Sequence, residues 1–395
     1  MRTRERRPSD RELEPELEEH DDSEEQDDAQ VGAFQALLSD RRKLLFGVLG
    51  VVLIVVAIYV LIPKILGTGE ALNRIDNATW YWVVAAVGFN VLAFAAYVAL
   101  FRGILGGTVD DDIHRRLGLR ASYQITMAGL AATRVFSAAG AGGIALTYWA
   151  LRKAGMPRRR SACRMVAFLT LTYLVYTGTL VIFGVLLRTG VLPGSAPFGG
   201  TVVPAVVAAI VMAVFALIAL IPGDFERRIQ RFGQGYRHTR FLTRLASGPA
   251  TIASGVRTAI AYLRRPRRGA LAVGGAVGFW AANIGVLWAS FEAFGGDVPF
   301  AVLVQGFFVG MAANLIPSPA GGVGSVDAGM IGAFLLFDVP SEVVFPAVLT
   351  YRIIAFWLPI PPGIVAFFGL RKTVAGWDSE RQQRSGDTAI LQKVK

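Results

Sequence analysis

Three ionisable side chains stand deep inside apolar sequence: Arg134 in AATRVFS, Asp327 in GSVDAGM and Arg352 in TYRIIAF. Burying an isolated charge in hydrocarbon costs at least about 2.5–3.5 kcal/mol on insertion scales, so each needs a partner or a polar cavity. A guanidinium matches a phosphate with two parallel hydrogen bonds, whereas a carboxylate pairs with an arginine or reads a cationic group. One reading is therefore that Arg134 and Arg352 receive an anionic headgroup, with Asp327 as counter-ion. The structural alternatives stand beside it. Arg134 can snorkel to the nearer face, Arg352 can sit in an ion pair, and Asp327 can serve the first turn of a helix capped by Ser325.

Two small-residue reversals surround these charges. SAAGAGG carries Ser137, Gly140 and Gly143, and NLIPSPAGGVG carries Asn314, Pro317, Ser318, Pro319, Gly321, Gly322 and Gly324. Proline removes backbone donors and glycine permits positive φ, so helix cannot run smoothly through either stretch. At bilayer depth such backbone is tolerated only where protein buries it or where it lines a cavity, and its free N–H groups can cradle an anion. All of these residues are candidate substrate contacts. Neither stretch fits a Walker or dinucleotide fingerprint. Asn90, Asn283, Tyr148 and Tyr351 are further polar residues in or beside apolar runs and read as interhelical hydrogen-bonders. No Ser/His/Asp or Cys/His set has credible spacing, the three histidines lie far apart, and Cys163 is alone. Enzymatic chemistry, a metal and a cofactor are accordingly not expected.

The elements that must position these residues are membrane spans. Of 395 residues 53% are hydrophobic and 17% charged, and mean hydropathy is +0.48, which excludes an ordinary soluble enzyme. The net charge of +11 conceals an acidic stretch: residues 1–43 hold 8 basic and 14 acidic side chains (8 − 14 = −6), leaving +17 for the rest. Those bases flank apolar runs, as the positive-inside rule requires, so nucleic acid is not the expected partner. Residues 1–43 read as a disordered cytoplasmic tail without a signal peptide. Spans are expected at 44–62, 80–101, 166–187, 201–221, 270–294 and 343–370. The broken segment 121–151 has basic flanks at both ends and divides into limbs of about 22 Å, shorter than a hydrocarbon core of about 30 Å, so it reads as a re-entrant hairpin. The segment 299–338 is flanked by no base and enters from the opposite side, as a hairpin or as two spans. Between them, 223–269 contains eleven arginines, with a basic amphipathic helix after a break at Gly248 and Pro249, its apolar face Ile252, Val256, Ile260 and Leu263. That helix reads either as lying on the inner leaflet or as packing under the bundle. A tail follows at 373–395.

An offset of 181 aligns AATRVFSAAGAGG (131–143) with AANLIPSPAGGVG (312–324), with six of thirteen positions identical. The fold class expected is thus an all-α polytopic membrane protein of two inverted repeats, 44–190 and 199–372, each with three spans plus a broken hairpin. Such repeats place a substrate site at their interface.

The motifs ANLIPSPAGGVGSVDAGMIGAF and VLTYRIIAFWLPIPPG resemble the lysylphosphatidylglycerol synthase transmembrane-region family, the flippase-like half of the multiple peptide resistance factor. The resemblance covers most of 44–372 and is strongest over 312–370. The family's proline turn, Gly-Gly-x-Gly run, acid, and Arg before WLP fall here on Pro317 and Pro319, on Gly321, Gly322 and Gly324, on Asp327, and on Arg352, Phe356, Trp357, Leu358 and Pro359. Ala320 and Asp327, where Glu is usual, depart from the pattern. The resemblance implies a flippase-like translocator without the aminoacyl-transfer domain, moving an anionic or modified phospholipid or a polyprenyl-linked glycolipid across a bacterial inner membrane, both termini cytoplasmic. Two other classes remain open: a small-solute anion transporter using the same hairpins, and a non-transporting scaffold that recruits a protein partner through the acidic tail. A homo-oligomer is compatible with either.

Overall fold

The computed structural model describes residues 79–105, 111–135, 141–220, 239–264, 266–315 and 322–393. All of these belong to one compact unit, Val56–Lys395. The expected tail at 1–43, the span at 44–62 and both reversals, 136–140 and 316–321, lie outside them.

Every regular element among the described residues is helical: α1 Trp80–Leu105, α2 Asp111–Arg116, α3 Leu119–Val135, α4 Ala141–Lys153, α5 Arg158–Arg188, α6 Phe198–Ala219, α7 Thr239–Arg264, α8 Pro266–Ala293 and α9 Phe300–Met311. A tight turn of 3-10 helix at Ala312–Leu315 follows α9, and then α10 Ser325–Leu336, α11 Ser341–Arg352, a π-helical turn at Ile353–Trp357 and α12 Ile360–Lys393. Five stretches are long and apolar enough to cross a membrane: α1, α5, α6, the Gly269–Ala293 part of α8, and Ser341–Glu380. The limbs of the two broken segments are shorter. α3 and α4 have 17 and 13 residues, and α9 and α10 have 12 each, so none exceeds about 26 Å at 1.5 Å per residue.

Small residues set how closely the helices approach. In lipid there is little hydrophobic drive between helices, and packing contacts do the work. α1 and α8 pack along their length, and a Cβ on Gly103 or Gly275 would strike the facing backbone of Ala272 or Leu100. Within the first hairpin, Gly143 of α4 lies against the carbonyl of Gly129 on α3; within the second, Gly310 of α9 lies against Met330 of α10. The aromatic centre is formed by Phe291, Phe307, Phe308 and Phe334, all fully buried.

The ends of the bundle are marked by contacts. At one, Arg164 Nη1 donates to Ile104 O (2.6 Å) and lies 2.7 Å from Tyr262 Oη, and Arg116 meets Glu380 at 3.6 Å. At the other, Ser195 Oγ donates to Asp338 Oδ2 at 2.7 Å, and Thr79 N donates to Ala293 O at 2.9 Å. The hairpin α3–α4 starts and finishes at the first end, and α9–α10 at the second.

Three local expectations are corrected. The helix in the arginine-rich connection does not begin after Gly248 and Pro249 but runs unbroken from Thr239 to Arg264. Its packing against α5 and α8 holds it in place despite the proline. Its buried face is Ala253, Val256 and Ala259, while Ile252 and Leu263 are exposed, because small residues allow Gly255 to approach Val166 of α5. Third, the last span is not one continuous helix. It breaks where Pro359, Pro361 and Pro362 withhold backbone donors, and Leu358 N reaches five residues back to Ile353 O at 2.9 Å.

Candidate functional site

α10 begins at a sharp turn. Gly322 and Gly324 have φ of +94° and +85°, values that a residue with a Cβ adopts only under strain. The residue preceding the helix is Gly324 and not the expected cap Ser325, which is already in the first turn. Asp327, at the third helical position, reaches back so that its Oδ2 accepts from Gly324 N at 2.8 Å. Its other oxygen, Oδ1, accepts from Arg352 Nε at 2.6 Å. The two expected roles of Asp327, helix-start anchor and ion-pair partner, are thus performed together.

Arg352 comes from the end of α11, just before the π turn. Besides the carboxylate it donates from Nη2 to Gly322 O at 3.1 Å, and its Cζ lies 4.5 Å from the centroid of the Phe356 ring. Its side chain is 5% exposed and that of Asp327 8%, so the pair is shielded from solvent. Gly322 O also accepts from Val326 N at 3.1 Å, and the arginine therefore fastens the start of α10 to the end of α11.

Arg134 closes α3 and reaches the same region from the first half of the chain. Its Nη1 donates to Phe356 O at 2.6 Å and its Nη2 to Ala355 O at 2.8 Å, with Cζ 5.1 Å from the Phe356 centroid. Proline leaves each of these acceptors without a backbone donor in one of the two helical registers that meet here. In an α-helix Ala355 O would accept from residue 359, and in a π turn Phe356 O would accept from residue 361. Both positions are proline. The preceding carbonyl, Ile354 O, accepts from Asn90 Nδ2 of α1 at 2.9 Å. Three successive carbonyls of the broken span are thus satisfied by side chains more than two hundred positions away in sequence. A buried orphan carbonyl costs about 1–3 kcal/mol.

Arg134, Asp327 and Arg352 are brought together around Phe356 and the π turn. Gly322 and Gly324 form the turn beside them. Asn314 is exposed, its Oδ1 close to Gly322, and Gly143 lies in the packing of α4 on α3. Ser137, Gly140, Pro317, Ser318, Pro319 and Gly321 are outside the described residues. Gly143 and Gly324, matched at the offset of 181, have different jobs: one packs inside a helix and the other precedes one. The same offset does pair Gly129 with Gly310 (310 − 129 = 181), and both are hairpin-packing glycines. Tyr97 of α1 was not singled out from sequence; its ring packs against Phe168 and Phe279, with centroids 5.0 and 4.8 Å away. Asn90 and Tyr97 are seven apart on one helix face, a spacing that could have signalled both.

Fold and site together define a polytopic helical membrane protein in which paired broken segments meet a broken span at buried charges. The chain belongs to the family described as the lysylphosphatidylglycerol synthase TM region, which it matches over residues 47–363. A UPF0104 membrane protein of Methanothermobacter thermautotrophicus is similar to it, 25% identical over 336 residues that span 81% of this chain and 96% of the relative. A second alignment to a protein of that description and organism is 30% identical over 79 residues, covering 20% of this chain and 24% of the relative.

Proposed function

We propose that the protein is a flippase-like translocator that moves an anionic or modified phospholipid, or a polyprenyl-linked glycolipid, between leaflets of the inner membrane, with its termini cytoplasmic. The observation that carries this reading is the cluster Arg134, Asp327 and Arg352, ionisable groups held where two helical elements break in apolar surroundings. A purely structural bundle gains little from such groups, whereas a headgroup crossing hydrocarbon requires them.

In this reading the two halves are inverted repeats and the substrate passes between them. Reciprocal contacts support it. α3 packs on α12 and α9 packs on α5, so that each hairpin leans on the last span of the opposite half. Asn90 of α1 donates to Ile354 O, and Trp280 of α8 donates to Thr172 O at 3.0 Å. The two acceptors differ by 182 positions (354 − 172), one more than the repeat offset. Alternating access then consists of one hairpin parting from its span while the other stays closed.

The test is headgroup movement in proteoliposomes. Fluorescent phosphatidylglycerol, a modified phosphatidylglycerol and a polyprenyl-linked sugar are each followed by quenching from the outer side, with and without a pH gradient. Accelerated transbilayer movement of at least one lipid, lost in Asp327→Asn, is the expected result. Movement of none across the panel refutes the proposal.

A further inference from the structure

The start of α6 is gripped by the second hairpin. In the loop that leads into it, a Cβ on Gly194 would strike Val302 of α9, and Ser195 Oγ donates to Asp338 Oδ2, just past the end of α10, at 2.7 Å. In the first turn of α6, a Cβ on Gly200 would meet the Phe337 ring at 2.7 Å, and Gln305 Nε2 of α9 donates to Gly200 O at 3.0 Å. Both limbs of the hairpin thus hold residues 194–200.

Gly200 O can take that bond because its α-helical donor would be residue 204, and Pro204 has no N–H. Gln305 is itself fully buried, so the joint is made inside the protein. Beyond the proline α6 lies differently. Its buried residues there are Ala205 and Ala208, it packs along α5, and Val206, Val207, Ile210, Val214 and Leu217 are exposed. Gly184 of α5 faces both sides of the break, close to Thr201 O and to the Cβ of Ala205. The first turn of α6 therefore belongs to the hairpin by its contacts, and the remainder belongs to α5.

We propose, resting on the lipid-translocator reading, that Gln305 is a positioning residue that joins residues 194–203 to the second hairpin, so that this strap and α9–α10 turn as one gate about Pro204 while the rest of α6 stays on α5. The boundary of the moving part then falls inside a span and not at a loop. A proline bend in lipid is tolerated where another element satisfies the freed carbonyl, so the bond from Gln305 ties the bend of α6 to the position of the hairpin. When the hairpin parts from α5, the start of α6 follows it without breaking the contacts at Gly194, Ser195 and Gly200.

The test uses the purified full chain, with hydrogen–deuterium exchange followed along α6 in lipid nanodiscs and lipid movement in proteoliposomes. Gln305→Leu is expected to speed exchange at 199–203 roughly tenfold, the loss of one hydrogen bond, and to leave 205–219 unchanged. Gln124→Leu, which removes the buried glutamine of α3 whose Oε1 accepts from Thr373 Oγ1 at 2.9 Å, leaves both stretches unchanged. Adding Pro204→Ala to Gln305→Leu gives Gly200 O a backbone donor and is expected to bring the exchange back to within about threefold of wild type. Pro204→Ala alone makes α6 a single rod and is expected to slow lipid movement at least about fivefold without lowering the melting temperature, a split that a merely structural proline does not give. Ser195→Cys/Asp338→Cys in a Cys163→Ser background, bridged by a short thiol crosslinker, keeps its unbridged rate because the two groups move together. Exchange that rises along the whole of α6 or nowhere, wild-type lipid movement by Pro204→Ala, or movement stopped by the bridge overturns the gate. If no lipid moves in any of these proteins while exchange behaves as expected, the broader function falls and the hinge at Pro204 stands.

Discussion

Replacing Asp327 by Asn changes one atom of the side chain and exposes how the pair is held. Both carboxylate oxygens accept, one from Arg352 Nε at 2.6 Å and the other from Gly324 N at 2.8 Å. An amide has one acceptor and one donor. Whichever way it turns, its NH2 faces either the guanidinium or the glycine N–H, and Arg352 is left charged at 5% exposure without a counter-ion. Breaking a buried pair from one side costs about 3–5 kcal/mol. Arg352→Gln removes the opposite charge and strands the carboxylate at similar cost. The double variant Asp327→Asn/Arg352→Gln keeps a neutral amide pair at the same place and is expected to recover much of the loss, giving a coupling of about 2 kcal/mol or more, at the upper end for contacting residues. Unfolding in mixed micelles, followed by tryptophan fluorescence on all four proteins, measures it. If each single variant costs less than about 1 kcal/mol and the two add, the pair is not the electrostatic joint described above.

Arg134→Lys should destabilise the protein by about 1.5–3 kcal/mol, because a point-charge ammonium on a different stem does not reproduce the fork that bridges two carbonyls. Adding Pro359→Ala, which restores a backbone donor four residues after Ala355, should return part of that stability; the readout is the melting temperature of single and double variants. Gly143→Ala and Gly310→Ala should each lower stability by about 1–3 kcal/mol through overpacking against a facing backbone, while Gly88→Ala and Gly332→Ala, with nothing within 4 Å of the new Cβ, should be neutral or stabilising. The same melting series separates the two groups. Gly255→Val should lift α7 from α5, where the new side chain would meet Val166 and Cys163 O. Faster maleimide labelling of Cys163, the sole cysteine, reports it.

Much of the frame was legible because membrane spans follow from local composition. Apolar runs flanked by arginine located α1, α5, α6 and α8, and the glycines and prolines marked where helices had to stop. The buried charges were also legible, since an arginine in TYRIIAF needs a partner wherever it sits. The partners were not. That Arg134 serves Ala355 and Phe356 depends on two segments more than two hundred residues apart meeting in space, and hydropathy contains no such distance. The π turn was hidden for a related reason: a run from 343 to 370 reads as continuous when its prolines are weighed only against their own helix, without donors from α1 and α3. The buried face of α7 was misread because large apolar residues are the usual marker of a core, whereas here alanine and glycine permit the close approach. Of the glycines paired by the offset of 181 within the described residues, Gly143 and Gly324 differ in role, whereas Gly129 and Gly310 both pack inside their hairpins.

The broken last span has a consequence for how the protein is made. Asn90 and Arg134 emerge from the ribosome long before Ile354, Ala355 and Phe356, with Arg134 preceding Phe356 by 222 positions. A kinked segment with open carbonyls is a poor candidate for stable insertion by itself. Here its donors lie on helices synthesised first, so those helices are expected to aid insertion of the segment synthesised last. The order of the two halves along the gene is then a condition of assembly, and exchanging them by circular permutation should reduce insertion of the Ser341–Lys393 segment even though every contact of the finished fold remains available.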